Sequence, residues 1–116
     1  MERATPTTIS ACDLGALLAQ LKHDAGWQQK PHHTVSVRDG QGLRATLMAL
    51  HAGAVIPPHQ VEGPMTAQVL EGRLKFSAGS ESTVLLPGHL VTLPAGVQHQ
   101  LEALEDTAFL LTRITG

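Results

Sequence analysis

Gly88-His89-Leu90-Val91-Thr92-Leu93-Pro94-Ala95-Gly96-Val97-Gln98-His99 reads as strand, sharp turn, strand. Leu90 to Leu93 is apolar and favours extended backbone. In Pro94-Ala95-Gly96 the proline holds φ and the glycine can supply a positive φ, so the chain reverses there. Val97 is expected to open the next strand, which places His99 two residues on and on the same face. Upstream, Pro57-Pro58 stiffens the approach to a second histidine, His59. Whether these two imidazoles form a working site is the question the sequence poses.

The same rhythm runs in both directions from this stretch. Thr34 to Val37 alternates with period two, Asp39-Gly40-Gln41-Gly42 turns, and Leu43 to Leu50 forms a long strand. Ala52-Gly53 and Gly63-Pro64 turn. Met65 to Leu70 and Arg73 to Ala78 make a hairpin about Glu71-Gly72. Gly79-Ser80 turns, Thr83 to Leu86 is a strand, and Pro87-Gly88 turns. Strands at Gln98 to Leu104 and Thr107 to Thr115 follow, separated by Glu105-Asp106. Many short strands with regular turn signals indicate an all-β sandwich or barrel.

Before the strands comes one helix. Residues 1–9 read as an arm. Ser10 resembles an N-cap with Asp13 as its capping-box partner, and Leu14, Leu17, Leu18 and Leu21 form an amphipathic stripe. Ala25-Gly26 stops it, giving a helix over about 11–24 that packs on the outside of the domain. The division expected is an arm and helix over 1–30 and a barrel over 31–116.

Composition narrows the function classes. The 116 residues suffice for one domain with a core of its own. Aromatics are limited to Trp27, Phe76 and Phe109, so the core is aliphatic and base-stacking surfaces are lacking. With a formal net charge of −2 and no basic cluster, no nucleic-acid partner is expected. The lone Cys12 allows no internal disulfide, and no apolar run is long enough to span a membrane, so the expected location is the cytoplasm. Cys12 is read as semi-buried helix packing, His32-His33 as a solvated loop, and His89 as exposed at a strand start.

Two segments together resemble the cupin superfamily. Gly53-Ala-Val-Ile-Pro-Pro-His59 follows the opening of its first motif, and Gln68-Val69-Leu70-Glu71-Gly72 follows the close. Gly88, Pro94, Gly96 and His99 fit its second motif, whose final Asn is Ala103 here. The resemblance implies a double-stranded β-helix, or jelly-roll barrel, in a small single-domain cupin that pairs as a homodimer. Carried over by position, the family's four metal ligands fall on His59, Val61, Met65 and His99. Val61 has no donor atom. Met65 has only a thioether, which suits Cu(I) better than a hard divalent ion. Glu62, His51 or Gln60 would have to complete a divalent transition-metal site built on His59 and His99.

In this register Val61, Met65, Ala67, Val69, Val97 and Leu101 share the inward parity with the histidines. They are either plain core or the wall of a small-molecule pocket; His59, Val61, Met65, Ala67, Val97, His99 and Leu101 are the candidate pocket residues. A ligand with an apolar body and one acidic or hydroxyl group would fit. Two readings stay open: a barrel that binds a small organic ligand without a cofactor, and a metal-dependent oxygenase or isomerase. The epimerase branch of the superfamily uses a Tyr acid, and this chain has no tyrosine.

Overall fold

The computed structural model describes residues 9–60 and 62–115. Among them are two helices, α1 (Leu14–Lys22) and α2 (Ala25–Gln29), followed by nine strands. These are β1 (His32–Gly40), β2 (Leu43–Leu50), β3 (Val55–His59), β4 (Met65–Glu71), β5 (Leu74–Ala78), β6 (Glu81–Leu85), β7 (Leu90–Leu93), β8 (His99–Ala103) and β9 (Thr107–Ile114). They form an antiparallel jelly roll: a five-stranded sheet in the order β1-β2-β9-β4-β7 against a four-stranded sheet in the order β3-β8-β5-β6.

The helical region departs from the sequence reading. Asp13 caps α1, its carboxylate accepting from the Ala16 N–H at 3.1 Å, so Ser10 is not the cap and the helix starts three residues later than expected. An ionised cap also complements the helix dipole, which a serine does not. Ala25-Gly26 does not end the helical region. Asp24 accepts from the Gly26 N–H at 2.7 Å and caps α2. A Cβ at Gly26 would lie 2.7 Å from the His33 ring, which would have to shift to admit it. Cys12 is exposed ahead of α1 rather than packed on it. His32 and His33 open β1, opposite Leu50 and Ala49, rather than lying in a loop.

Alternation along the strands sorts side chains into two layers. Met65, Ala67 and Val69 of β4, Leu74 and Phe76 of β5, Leu101 and Ala103 of β8, and Phe109 of β9 meet between the sheets. Leu47, Ala49 and Ala108 face outward from the five-stranded sheet and are covered by Leu18, Leu21 and Trp27 of the helices. Each apolar stripe is thus buried at home. Lys22 and Glu71 form an ion pair at the edge of this outer layer.

Two strands differ from the expected pattern. Residues 55–59 pair with β8 despite Pro57 and Pro58, which is tolerated because β3 is an edge strand and its register shifts between Ile56 and His59. Val97 and Gln98 precede β8, which begins only at His99. At the hairpin between β4 and β5, Gly72 has φ +89° and its missing Cβ would collide with the Asp106 carbonyl and with Thr107. Gly79 also has positive φ, at +61°, with open space around it. Gly79→Ala is therefore expected to lose about 1 kcal/mol of stability through backbone strain alone. Gly72→Ala is expected to lose about 3 kcal/mol because strain and collision add. Urea midpoints of the two variants compared with the parent check the difference.

Candidate functional site

The two motif histidines meet. His59 ends β3, His99 opens β8, and the strands place them directly opposite one another. Their ring centroids lie 4.2 Å apart with the planes tilted by 57°. His99 also stacks on Phe76 of β5, 5.5 Å away and nearly parallel, and is only 2 % exposed. His59 is half-buried at the rim.

Each ring is oriented by a carbonyl two residues earlier in its own chain. His59 Nδ1 donates to the Pro57 carbonyl at 3.0 Å, and His99 Nδ1 donates to the Val97 carbonyl at 3.1 Å. A carbonyl oxygen only accepts, so each neutral ring carries its proton on Nδ1 and a lone pair on Nε2. The proline-bearing end of β3 and the turn before β8 therefore hold the tautomers as well as the positions. Val97 contributes this carbonyl and, from the loop before the strand, lines the same opening as His99 and Pro58.

Burial pushes the pKa of His99 below the ordinary value near 6.5. The Val97 carbonyl opposes this by favouring the protonated ring, and a charge on the neighbouring His59 adds to the lowering. His99 is thereby kept as a neutral acceptor through physiological pH.

Met65, Ala67 and Leu101 are buried at the aliphatic centre, in the same cluster as Phe76. Val61 lies outside the described residues. Gln60 and Glu62 are exposed in the segment that crosses from β3 to β4. His51 is not at this mouth. Its ring stacks on Trp27 at 3.6 Å, its Nε2 donates to the Trp27 carbonyl at 2.7 Å, and its other nitrogen lies 3.8 Å from Asp106. The stacking and the hydrogen bond commit His51 to the outer, helix-covered layer. His89 is exposed, as expected, and its Nδ1 accepts from the Leu86 N–H at 3.1 Å, closing a local turn.

Among the described residues, no three His, Cys, Asp or Glu side chains converge. The donor set at the mouth is two imidazoles without a carboxylate, which does not match the ligand count of a closed or catalytic hard-metal site. Phe76 is not among the site candidates that the sequence offers. Its signal was the alternation Leu74, Phe76, Ala78, which sends it inward beside His99.

A cupin domain model matches residues 46–114, and the chain belongs to that family. A conserved protein of unknown function from Streptococcus pyogenes is similar in structure, with 25% identity, TM-score 0.71, and coverage of 76% of this chain and 77% of the other. KdgF from a Halomonas species is also similar, with 25% identity, TM-score 0.67, and coverage of 74% and 81%. A variant of salicylate 1,2-dioxygenase from Pseudoaminobacter salicylatoxidans shares the fold at 19% identity and TM-score 0.79, covering 97% of this chain but 36% of that one. No curated protein sequence matches the chain. No helix among the described residues is long and apolar enough to cross a membrane.

The lowered pKa of His99 has a consequence for stability. Between its folded value and about 6.5 the unfolded chain binds more protons than the folded one. The contribution is therefore fully present above pH 6.5 and is lost as pH falls. Thermal midpoints are expected to drop between pH 7.5 and 5.5, and His99→Gln is expected to flatten that part of the profile; an unchanged slope in the variant would contradict this origin.

Proposed function

We propose that this cupin is a binding module that holds a small organic ligand at the barrel mouth. The observation that carries the reading is the tautomer-locked pair of His59 and His99, with two Nε2 lone pairs beside an aliphatic core. Such lone pairs accept from a ligand hydroxyl or acid O–H. If a carboxylic acid surrenders its proton to one ring, the resulting imidazolium and carboxylate attract each other strongly in so dry a setting. Apolar surroundings with a few convergent polar groups are the usual makeup of a small-ligand site.

A second reading has a specific observation in its favour. Imidazoles whose Nδ1 is held by a carbonyl are also oriented as metal ligands are. A metal-dependent oxygenase or isomerase would use His59 and His99 with a third ligand such as Glu62, and a divalent transition metal would supply Lewis-acid or redox chemistry. In both readings the protein works as a homodimer, supported by the unpaired edges of β1, β7, β3 and β6.

Elemental analysis of tag-free protein separates the two. The binding-module reading expects substoichiometric metal, unchanged in His99→Ala, and a thermal midpoint insensitive to EDTA. It also expects stabilisation by small hydroxylated or carboxylated compounds that His59→Ala and His99→Ala weaken by roughly tenfold, the loss of one charge-assisted hydrogen bond. Metal near one equivalent per chain that vanishes in His99→Ala would replace it with the enzyme reading.

A further inference from the structure

One cross-strand row runs the full width of the five-stranded sheet. Asp39 of β1 pairs with Arg44 of β2, Arg44 with Arg113 of β9, Arg113 with Met65 of β4, and Met65 with Leu93 of β7. Met65 is buried between the sheets, and Leu93 packs against that core. Phe109 and Leu111 of β9, and Met48 and Leu50 of β2, belong to the same core. Alternation along β9 and β2 therefore turns Arg113 and Arg44 to the inner face as well.

This row stands at the same end of the barrel as the histidine pair. Residues 60–64 alone join His59 to Met65, and residues 94–98 alone join Leu93 to His99. On the facing sheet the row at this end is His59, His99, Ala78 and Glu81. A cleft lined by Phe76, Glu81, Val91 and Leu93 marks where the β6 edge lies over the β7 edge. Sandwiched sheets keep their strands nearly aligned, so counting inward from that edge sets β5 over β4 and β8 over β9. Arg113 and His99 are thus on opposite lips of one mouth. Packed sheets lie about 10 Å apart, a gap that a long arginine and one compact ligand can fill together.

The two arginines differ in what they hold. Arg44 is paired with Asp39 at 3.2 Å. Arg113 is half-buried, and its guanidinium has no partner among the described residues. Glu62, in the segment that crosses from β3 to β4, is exposed and makes no ion pair with it. Glu81, the carboxylate of the facing row, is exposed on the far edge, two strands from His99. Arg113 therefore presents a planar fork suited to a carboxylate, with the like charge of Arg44 beside it. It lines a groove of about 410 Å³ together with Pro64, Met65, Leu93 and Pro94. The prolines are rigid, so the apolar wall beside the fork is shaped before any ligand arrives. That volume, with apolar walls and few polar groups, is in the range of small-molecule sites.

We infer that Arg113 is the anion-binding residue of the mouth and that the ligand is a small hydroxy acid: its carboxylate on the Arg113 fork, its hydroxyl donating to the Nε2 lone pairs of His59 and His99, and its apolar part over Met65 and Leu93. This inference rests on the reading of the mouth as a small-ligand site and adds a charge requirement to it. Neutral imidazoles accept from the hydroxyl of an alcohol, an amide-bearing alcohol or an acid alike. Only the guanidinium separates the acid from its neutral analogues.

The test is a titration of the full, ¹⁵N-labelled chain with lactate and mandelate, followed through backbone amide shifts, with lactamide and mandelamide as neutral matches. The acids are expected to move the amides around Arg113 and around His99 saturably and with one Kd. The neutral matches are expected to bind more weakly by roughly tenfold or more, one charge-assisted hydrogen bond. Arg113→Gln is expected to abolish this preference for the acid while the neutral matches bind as they do to the parent. His99→Ala is expected to weaken acid and neutral match alike. The inference is overturned if the parent binds acid and neutral match equally, or if Arg113→Gln weakens both by the same factor, which would mark a structural role. In either case a loss of binding in His99→Ala leaves the mouth standing as a ligand site. If neither class of compound binds, or if His99→Ala changes nothing, the reading of the mouth fails and the inference fails with it. The spectrum of Arg113→Gln reports directly whether that variant is folded, and Arg113→Lys, which keeps the charge without the fork, is expected to fall between parent and Gln in its preference.

Discussion

The five-stranded sheet is held together by its last strand. β9 lies between β2 and β4 and pairs with both along most of its length. Remove it, and the sheet separates into a β1–β2 hairpin and a β4–β7 pair that have no ladder between them. Phe109 at the centre of β9 is fully buried in the space between the two sheets, while Ala108 beside it faces the helices. One strand thus supplies both layers of core, and the alternation of its side chains sets where each begins.

The second sheet has a comparable centre in β8, which pairs with β3 and with β5. Here the consequence is chemical. His59, His99 and Ala78 form one cross-strand row at the mouth, and Ile56, Leu101 and Phe76 form the row below it. A slip of one residue in β8 would turn His99 to solvent and bury Gln100. The histidine pair is therefore as well specified as the apolar rows beneath it. Two short proline-containing segments then supply the carbonyls that orient the rings, and no distant residue is needed.

Most of the fold was legible because alternation and turn residues agree. The stretch from Leu90 to His99, the Glu71-Gly72 hairpin and the long strand before His51 all appear near where the pattern puts them. The helix boundary is ambiguous in the sequence because Ser10 and Asp13 are both competent caps, and the structure uses the one whose carboxylate complements the helix dipole. β3 was hidden by Pro57 and Pro58, which argue against a strand except at an edge, and edge position is a property of the assembled sheet. His51 looked available because the sequence cannot show that Trp27, 24 residues earlier, lies under its ring. The pairing of His59 with His99 was anticipated from the motif. Their tautomers required the actual carbonyl geometry.

The helices are joined to the barrel differently from the strands. None of the backbone hydrogen bonds outside regular elements runs from α1 or α2 to a strand among the described residues. Their attachment consists of the apolar contacts of Leu18, Leu21 and Trp27, the Lys22–Glu71 pair, the approach of His33 to Asp24 at 3.6 Å and the hold of His51 on Trp27. The helical layer can therefore lift away while every ladder of the barrel remains intact. In the free-energy hierarchy of partial openings it forms a separate unit, which opens at lower cost than the barrel and uncovers Leu47 and Ala49 when it does.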